Sequence, residues 1–219
     1  MTEHHLAVTR TARYYQLGEL SASTTRVWFV CHGYGQLAAY FSRHFAFLTE
    51  ADPHTVVIVP EGLSRFYLSG NGGRVGASWM TRDDRLHEIE DHIGFLNQLA
   101  GQVLAASSPK VHVTVLGFSQ GTATVSRWLT RAHLRPAHLV LWAGSFPEDL
   151  EPAVATRLLQ NLPLTLVVGT EDEYLSDTII AQQQALLQGL GATPQLVTFA
   201  GKHELNRRVL EDIADTTHP

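Results

Sequence analysis

A run of alternating valines leads directly into a glycine-flanked serine. Val111, Val113 and Val115 have the spacing of a buried β-strand, the tract from Thr122 to Thr130 reads as a helix, and between them Gly117-Phe118-Ser119-Gln120-Gly121 fits G-x-S-x-G. A turn this sharp forces the serine into a strained backbone conformation and brings strand and helix close together, so Gly117 and Gly121 stand where a Cβ has no room. The Ser119 hydroxyl is thereby lifted above the sheet edge. The amide of Gln120, opening a helix, is aimed at any oxyanion that forms beside it. Read alone, the five residues also describe a strand-end glycine followed by a helix-capping serine. The strand before them and the helix after them favour the nucleophile.

The flanking chain alternates strands and helices. Val27-Trp28-Phe29-Val30-Cys31 is a short apolar run ending in the glycine-rich loop His32-Gly33-Tyr34-Gly35. Helical spacing through Tyr40, Phe41, His44, Phe45 and Leu48 precedes a strand over Thr55 to Val59. Leu86, Ile89, Ile93, Leu96, Leu99 and Val103 predict one long helix from about Arg85 to Ala106. Further strands are expected at His138 to Ala143, Leu164 to Gly169 and Gln195 to Phe199, with helices over Tyr174 to Leu190 and His203 to Ile213. Residues from about His4 to Leu20 suggest one or two opening strands.

Parallel neighbours need crossover connections, so this alternation predicts an α/β fold, a mostly parallel central sheet in a three-layer α/β/α sandwich. A chain of 219 residues suits a single domain over 1–219 with little material for a large cap.

Glu61 to about Thr81 carries Gly62, Gly70, Gly72, Gly73 and Gly76 among Phe66, Tyr67, Leu68 and Trp79. It reads as a long loop on the rim of a pocket, with Tyr34 and Trp79 as candidate substrate-binding residues, although its aromatics serve equally as anchors into the core.

A serine needs a base, and the base needs an acid to orient it. Gly169-Thr170-Glu171-Asp172 follows one late strand and Gly201-Lys202-His203 follows the next, the Ser…Asp…His order of hydrolases built on such sheets. Glu171, Glu173 and Asp177 compete with Asp172, and His203 is one of 12 histidines. His87 and His92 are five residues apart and diverge on a helix, unlike the i, i+4 pair of a zinc protease, so they read as a solvated face. No metal site and no cofactor are expected.

The four segments His32-Gly33-Tyr34-Gly35, Gly117-Phe118-Ser119-Gln120-Gly121, Gly169-Thr170-Glu171-Asp172 and Gly201-Lys202-His203 together resemble the phospholipase/carboxylesterase family of α/β-hydrolases, which has acyl-protein thioesterases among its relatives. The resemblance spans nearly the whole chain, and G-F-S-Q-G is more specific than G-x-S-x-G. It implies a compact esterase with Ser119, Asp172 and His203 as its triad and the amides of Tyr34 and Gln120 as its oxyanion hole. Where the family usually has leucine, aspartate and a small residue, this chain has Tyr34, Gln36 and Thr122. These departures bear on substrate shape and loop anchoring rather than on the reaction class.

The expected activity is therefore hydrolysis of short- to medium-chain acyl esters or thioesters, lysophospholipids included, through an acyl-enzyme. A non-catalytic binding protein on the same fold, and acyl transfer to an acceptor other than water, are the alternatives. With 16 basic and 21 acidic residues and no basic block, nucleic acid is not an expected partner. One cysteine, no signal-like N-terminus and no apolar run of ~20 residues make a cytoplasmic location the expectation.

Overall fold

In the computed structural model, which describes residues 1–216, seven strands form one sheet. They are β1 (Tyr14–Leu17), β2 (Arg26–Cys31), β3 (Thr55–Pro60), β6 (His112–Phe118), β7 (His138–Trp142), β8 (Leu164–Gly169) and β9 (Gln195–Phe199), in the spatial order β1-β3-β2-β6-β7-β8-β9. Only β1 runs antiparallel to its neighbour. The central strands are buried along their whole length, as a sheet covered on both faces requires.

The alternation of side chains across the sheet sets the layers. Val27, Phe29, Val115, Leu139 and Leu166 face α3 (Arg85–Ala106), α4 (Gln120–Leu129), α5 (Pro152–Leu159) and α6 (Asp177–Gly189), sharing one core with Leu96, Trp128, Leu159 and Leu187. Trp28, Val30, Leu116, Val140 and Trp142 face the other way. They pack with Phe41 and Leu48 of α1 (Ala38–Phe41) and α2 (Ala46–Ala51), which a 3-10 turn joins, and with Leu210 and Ile213 of α7 (Arg207–Thr216). This is the three-layer α/β/α sandwich of the α/β-hydrolase fold. Among the described residues no helix is long and apolar enough to cross a membrane.

Several expectations are corrected. Glu61 to Thr81 is not a loop: it contains an antiparallel hairpin of β4 (Ser64–Ser69) and β5 (Gly72–Ser78), turned at Gly70-Asn71. A two-residue glycine-asparagine turn between residues that pair was the available signal, masked by further glycines in β5. Of the one or two opening strands expected before Leu20, one forms, β1. Helix α5 was not anticipated, although a proline stands at its first turn. Helix α7 starts four residues later than expected, which leaves His203 on a loop. His92 is not on a solvated face: it is fully buried with Trp79 at its edge, while His87 is exposed.

Candidate active site

The sharp turn between β6 and α4 is present. Ser119 has φ 53° and ψ −117°, outside the regions that L residues normally occupy. What holds it there is close packing. A Cβ on Gly117 would overlap the backbone of Gly121, and one on Gly121 would overlap the carbonyls of Cys31 and His32. The Ser119 amide donates to the Trp142 carbonyl at 2.8 Å, and the Thr122 hydroxyl donates to the Ser119 carbonyl at 2.7 Å. Thr122 thus ties the turn to itself.

The two expected partners meet this serine from loops beyond the carboxyl ends of β8 and β9, the end of an α/β sheet where ligands bind. His203 places Nε2 2.9 Å from Ser119 Oγ and Nδ1 2.8 Å from Asp172 Oδ2. Asp172 keeps its side chain wholly inaccessible to solvent and accepts a second bond at Oδ1 from the Tyr174 amide, 2.8 Å away. Neither Glu171, Glu173 nor Asp177 makes such a contact among the described residues; Asp177 instead opens α6. Backbone bonds from Thr170 to Phe199 and from Glu171 to Gly201 join the two loops. Asp172 and His203 are therefore tied to each other through the backbone of their loops as well as through their side chains.

The imidazole is gripped on two sides. Phe118 lies 5.1 Å and Tyr174 4.7 Å from its centroid. Tyr174 was not among the predicted site residues, and nothing in a lone tyrosine after an acidic run marks it out.

On the other side of Ser119, the loop after β2 is held by the hairpin. Gly35 donates to the Ala77 carbonyl at 2.8 Å, Ala77 returns a bond to the Gln36 carbonyl at 3.1 Å, and Gln36 Oε1 accepts from the Gly33 amide at 2.8 Å. The buried Glu61 carboxylate pairs with Arg13 and accepts from the Ala38 amide at 3.2 Å. The Gln120 side chain locks the hairpin to the serine turn, accepting from the Trp79 amide at 3.0 Å and donating to the Met80 carbonyl at 2.7 Å. Among the described residues no acceptor is found for the amides of Tyr34 and Gln120, whereas those of Gly33, Gly35, Gln36 and Ser119 are all engaged.

A cavity of about 420 Å³ opens over the serine, lined by Tyr34, Ala143, Gly144, Ser145, Tyr174, Leu175 and His203. Tyr34 and Tyr174 are 60% and 64% exposed, and they approach from strands on opposite sides of β6. Trp79, expected on this wall, is corrected: it is 1% exposed and donates its indole N–H to the His32 carbonyl at 2.9 Å, so it supports the loop from behind. Phe66 reaches the cavity only through its contact with the Tyr34 ring. A cavity of similar volume lies at the opposite ends of the strands, where His138 bonds Thr165 at 2.8 Å. Among the described residues no carboxylate reaches that histidine's other nitrogen, so the chemistry, not the size, singles out Ser119.

A doubly covered, mostly parallel sheet with a strained serine between its central strand and the following helix defines an α/β-hydrolase. Residues 19–218 match the phospholipase/carboxylesterase family, and the chain belongs to that family. Among solved structures it is similar to Zea mays acyl-protein thioesterase 2 (17% identity, TM-score 0.70, covering 94% of this chain and 97% of that one). It is similar also to esterase PE8 (18%, 0.70, 94% and 98%) and to a phospholipase/carboxylesterase from Dyadobacter fermentans (14%, 0.65, 96% and 98%). At these identities the likeness is one of fold. No sequence among curated proteins matches the chain.

Proposed function

We propose that this protein is a cofactor-independent serine hydrolase of carboxylic esters or thioesters. The observation that carries the reading is the continuous hydrogen-bonded array Ser119–His203–Asp172 at a strained turn facing a cavity. Ser119 Oγ attacks the acyl carbon as its proton passes to His203 Nε2, and Asp172 holds Nδ1–H and stabilises the imidazolium. His203 then protonates the departing alcohol or thiol. A water molecule, deprotonated by the same nitrogen, attacks the acyl-enzyme; collapse returns the proton to Ser119 and releases the acid. The amides of Tyr34 and Gln120 are the donors for the oxyanion, a role in which one lost donor commonly costs about 10²–10³ in rate.

A cavity lined by the small residues Ala143, Gly144 and Ser145 together with Tyr34 and Tyr174 suits short to medium acyl groups. Each buried methylene gains only ~0.8 kcal/mol, and only while apolar wall remains to receive it. Our reading also keeps one domain without a large cap, acting in the cytoplasm on small acyl esters.

A fluorophosphonate probe, followed by hydrolysis of p-nitrophenyl esters and acyl thioesters of graded length, tests the assignment. The parent protein becomes labelled at Ser119 and is fastest between acetyl and about octanoyl; Ser119→Ala is neither labelled nor active, with an unchanged circular dichroism spectrum. An unlabelled parent protein points to a binding role on this fold. Activity in Ser119→Ala near that of the parent moves the nucleophile elsewhere.

A further inference from the structure

The fold joins two histidines that the sequence keeps far apart. His5, in the segment before β1, stacks on His87 in the first turn of α3 with ring centroids 3.9 Å apart and planes inclined by 26°. Both turn a nitrogen to the same carboxylate oxygen. Asp84 Oδ1 is 2.5 Å from His87 Nδ1 and 3.3 Å from His5 Nε2, and the three ligand atoms all lie within 4.8 Å of one another. Glu3 brings a second carboxylate to 3.2 Å from His5 Nε2. All of these side chains reach solvent.

We propose that His5, Asp84 and His87 form a binding site for a borderline divalent transition metal ion, Zn²⁺ being the type, with water completing its shell, which pins the N-terminal segment to the start of α3. Zinc takes imidazole nitrogen and carboxylate oxygen at ~2.0–2.2 Å in tetrahedral array, which sets donor atoms somewhat over 3 Å apart; His5 and Asp84 already have that spacing, and the shorter hydrogen bond from His87 to Asp84 opens to it as the ion enters. Two nitrogen donors select such an ion over Mg²⁺ or Ca²⁺, which prefer an all-oxygen shell. The ion takes the place of the proton between His87 Nδ1 and Asp84; a charged His87 loses that proton to solvent, and a neutral one carries its single proton on Nε2 instead. The positive end of α3 disfavours a cation, but the Asp84 carboxylate in the donor set, with Glu3 beside His5, balances its charge.

The site is structural rather than catalytic. Asp84 closes the connection from β5 to α3, along which the Met80 carbonyl accepts from Gln120 and the Thr81 amide donates to Glu88. Its backbone sits at φ 49°, so this connection is not one the chain adopts freely. An ion held there fastens the segment ahead of Tyr14, in which the described residues form no helix or strand. It gives that segment a reason to stay on the surface.

The test is calorimetric titration of the protein, carrying no affinity tag, with ZnCl₂ and separately with CaCl₂, repeated on His5→Ala, Asp84→Asn, His87→Ala and, as a surface control, His133→Ala. One equivalent of Zn²⁺ bound by the parent and by His133→Ala, at least tenfold weaker in the other three variants, supports the site. So do a higher Tm and slower proteolysis before Tyr14 in the zinc-bound parent, with ester hydrolysis unchanged. Equal zinc affinity in all variants places the ion on other histidines and overturns the proposal, as does failure of the parent to bind. Ca²⁺ binding as tight as Zn²⁺ overturns the nitrogen donors. Because Ser119 is not involved, these outcomes are independent of whether the esterase reading stands.

Discussion

Ser119 and Asp172 are held in different ways, and the difference makes separate predictions. Ser119 occupies its strained conformation because glycine contacts on both sides leave the backbone nowhere else to go. Asp172 is held by two hydrogen bonds, one from His203 and one from the Tyr174 amide. An amide in its place would present its NH₂ or its oxygen to His203 without charge and would favour the wrong imidazole tautomer. We therefore expect Asp172→Asn to lower kcat by about 10³–10⁴ while KM changes little. Asp177→Asn, which touches only the first turn of α6, should leave kcat within about twofold and cost a few tenths of a kcal/mol in stability. Steady-state kinetics on one p-nitrophenyl ester decides between them; a reversal of the two effects would move the acid one helical turn along the chain. At this scale the meeting of Ser119, His203 and Asp172 was readable from their chain order, because a crossover fold puts each at a strand end. The gripping of His203 by Phe118 and Tyr174 was not, since it depends on where two loops from different strands meet.

The element that most changes the picture is the hairpin of β4 and β5. Its inner strand passes so close to the loop after β2 that a Cβ on Gly76 would come 2.7 Å from Gly35 Cα. Gly76→Ala must push that loop outward, and the Tyr34 amide moves with it. We expect kcat to fall by up to about 10²-fold, the scale of a displaced oxyanion donor, with a lower Tm. Gly72→Ala, on the same hairpin with no atom within 4 Å of the added methyl, should leave both unchanged. If the two variants have equal kcat, the hairpin does not position the loop. The sequence concealed this because five glycines in about twenty residues look like loop, whereas two of them, Gly62 and Gly76, are there for close approach between backbone segments. Trp79 was misplaced for a related reason: an aromatic residue at a pocket rim and one buried behind it have the same local pattern.

For the molecule as a whole, we expect buried histidines to weaken the fold as the pH falls. Among the described residues His92 has no hydrogen-bond partner of good geometry at either ring nitrogen, and burial pushes its pKa from the ordinary 6.5 down to about 4. Burial lowers the pKa of His32 and of His138 as well. Above pH 6.5 neither the folded nor the unfolded chain protonates His92, so it contributes no pH dependence there. Below 6.5 the unfolded chain takes up a proton that the folded one refuses until about pH 4, so stability falls across that window, by on the order of 3 kcal/mol for this residue. Urea unfolding between pH 8 and pH 4.5 should show this decline, and His92→Phe should flatten it even if its packing shifts stability at every pH. An unchanged slope in the variant would mean that His92 is protonated while folded.

The sequence by itself determined the layered fold, the strained serine and the order of its partners. Those follow from period-two and period-3.6 patterns and from strand-to-helix turns, which are local properties of a chain. Tertiary structure alone decided which glycines mark contacts, that Trp79 and His92 lie inside, that Tyr174 packs on His203, and that His5 meets His87. Each of these depends on the separation in space of residues distant in the chain. The packing of seven strands and their crossovers sets that separation, and no window of the sequence contains it.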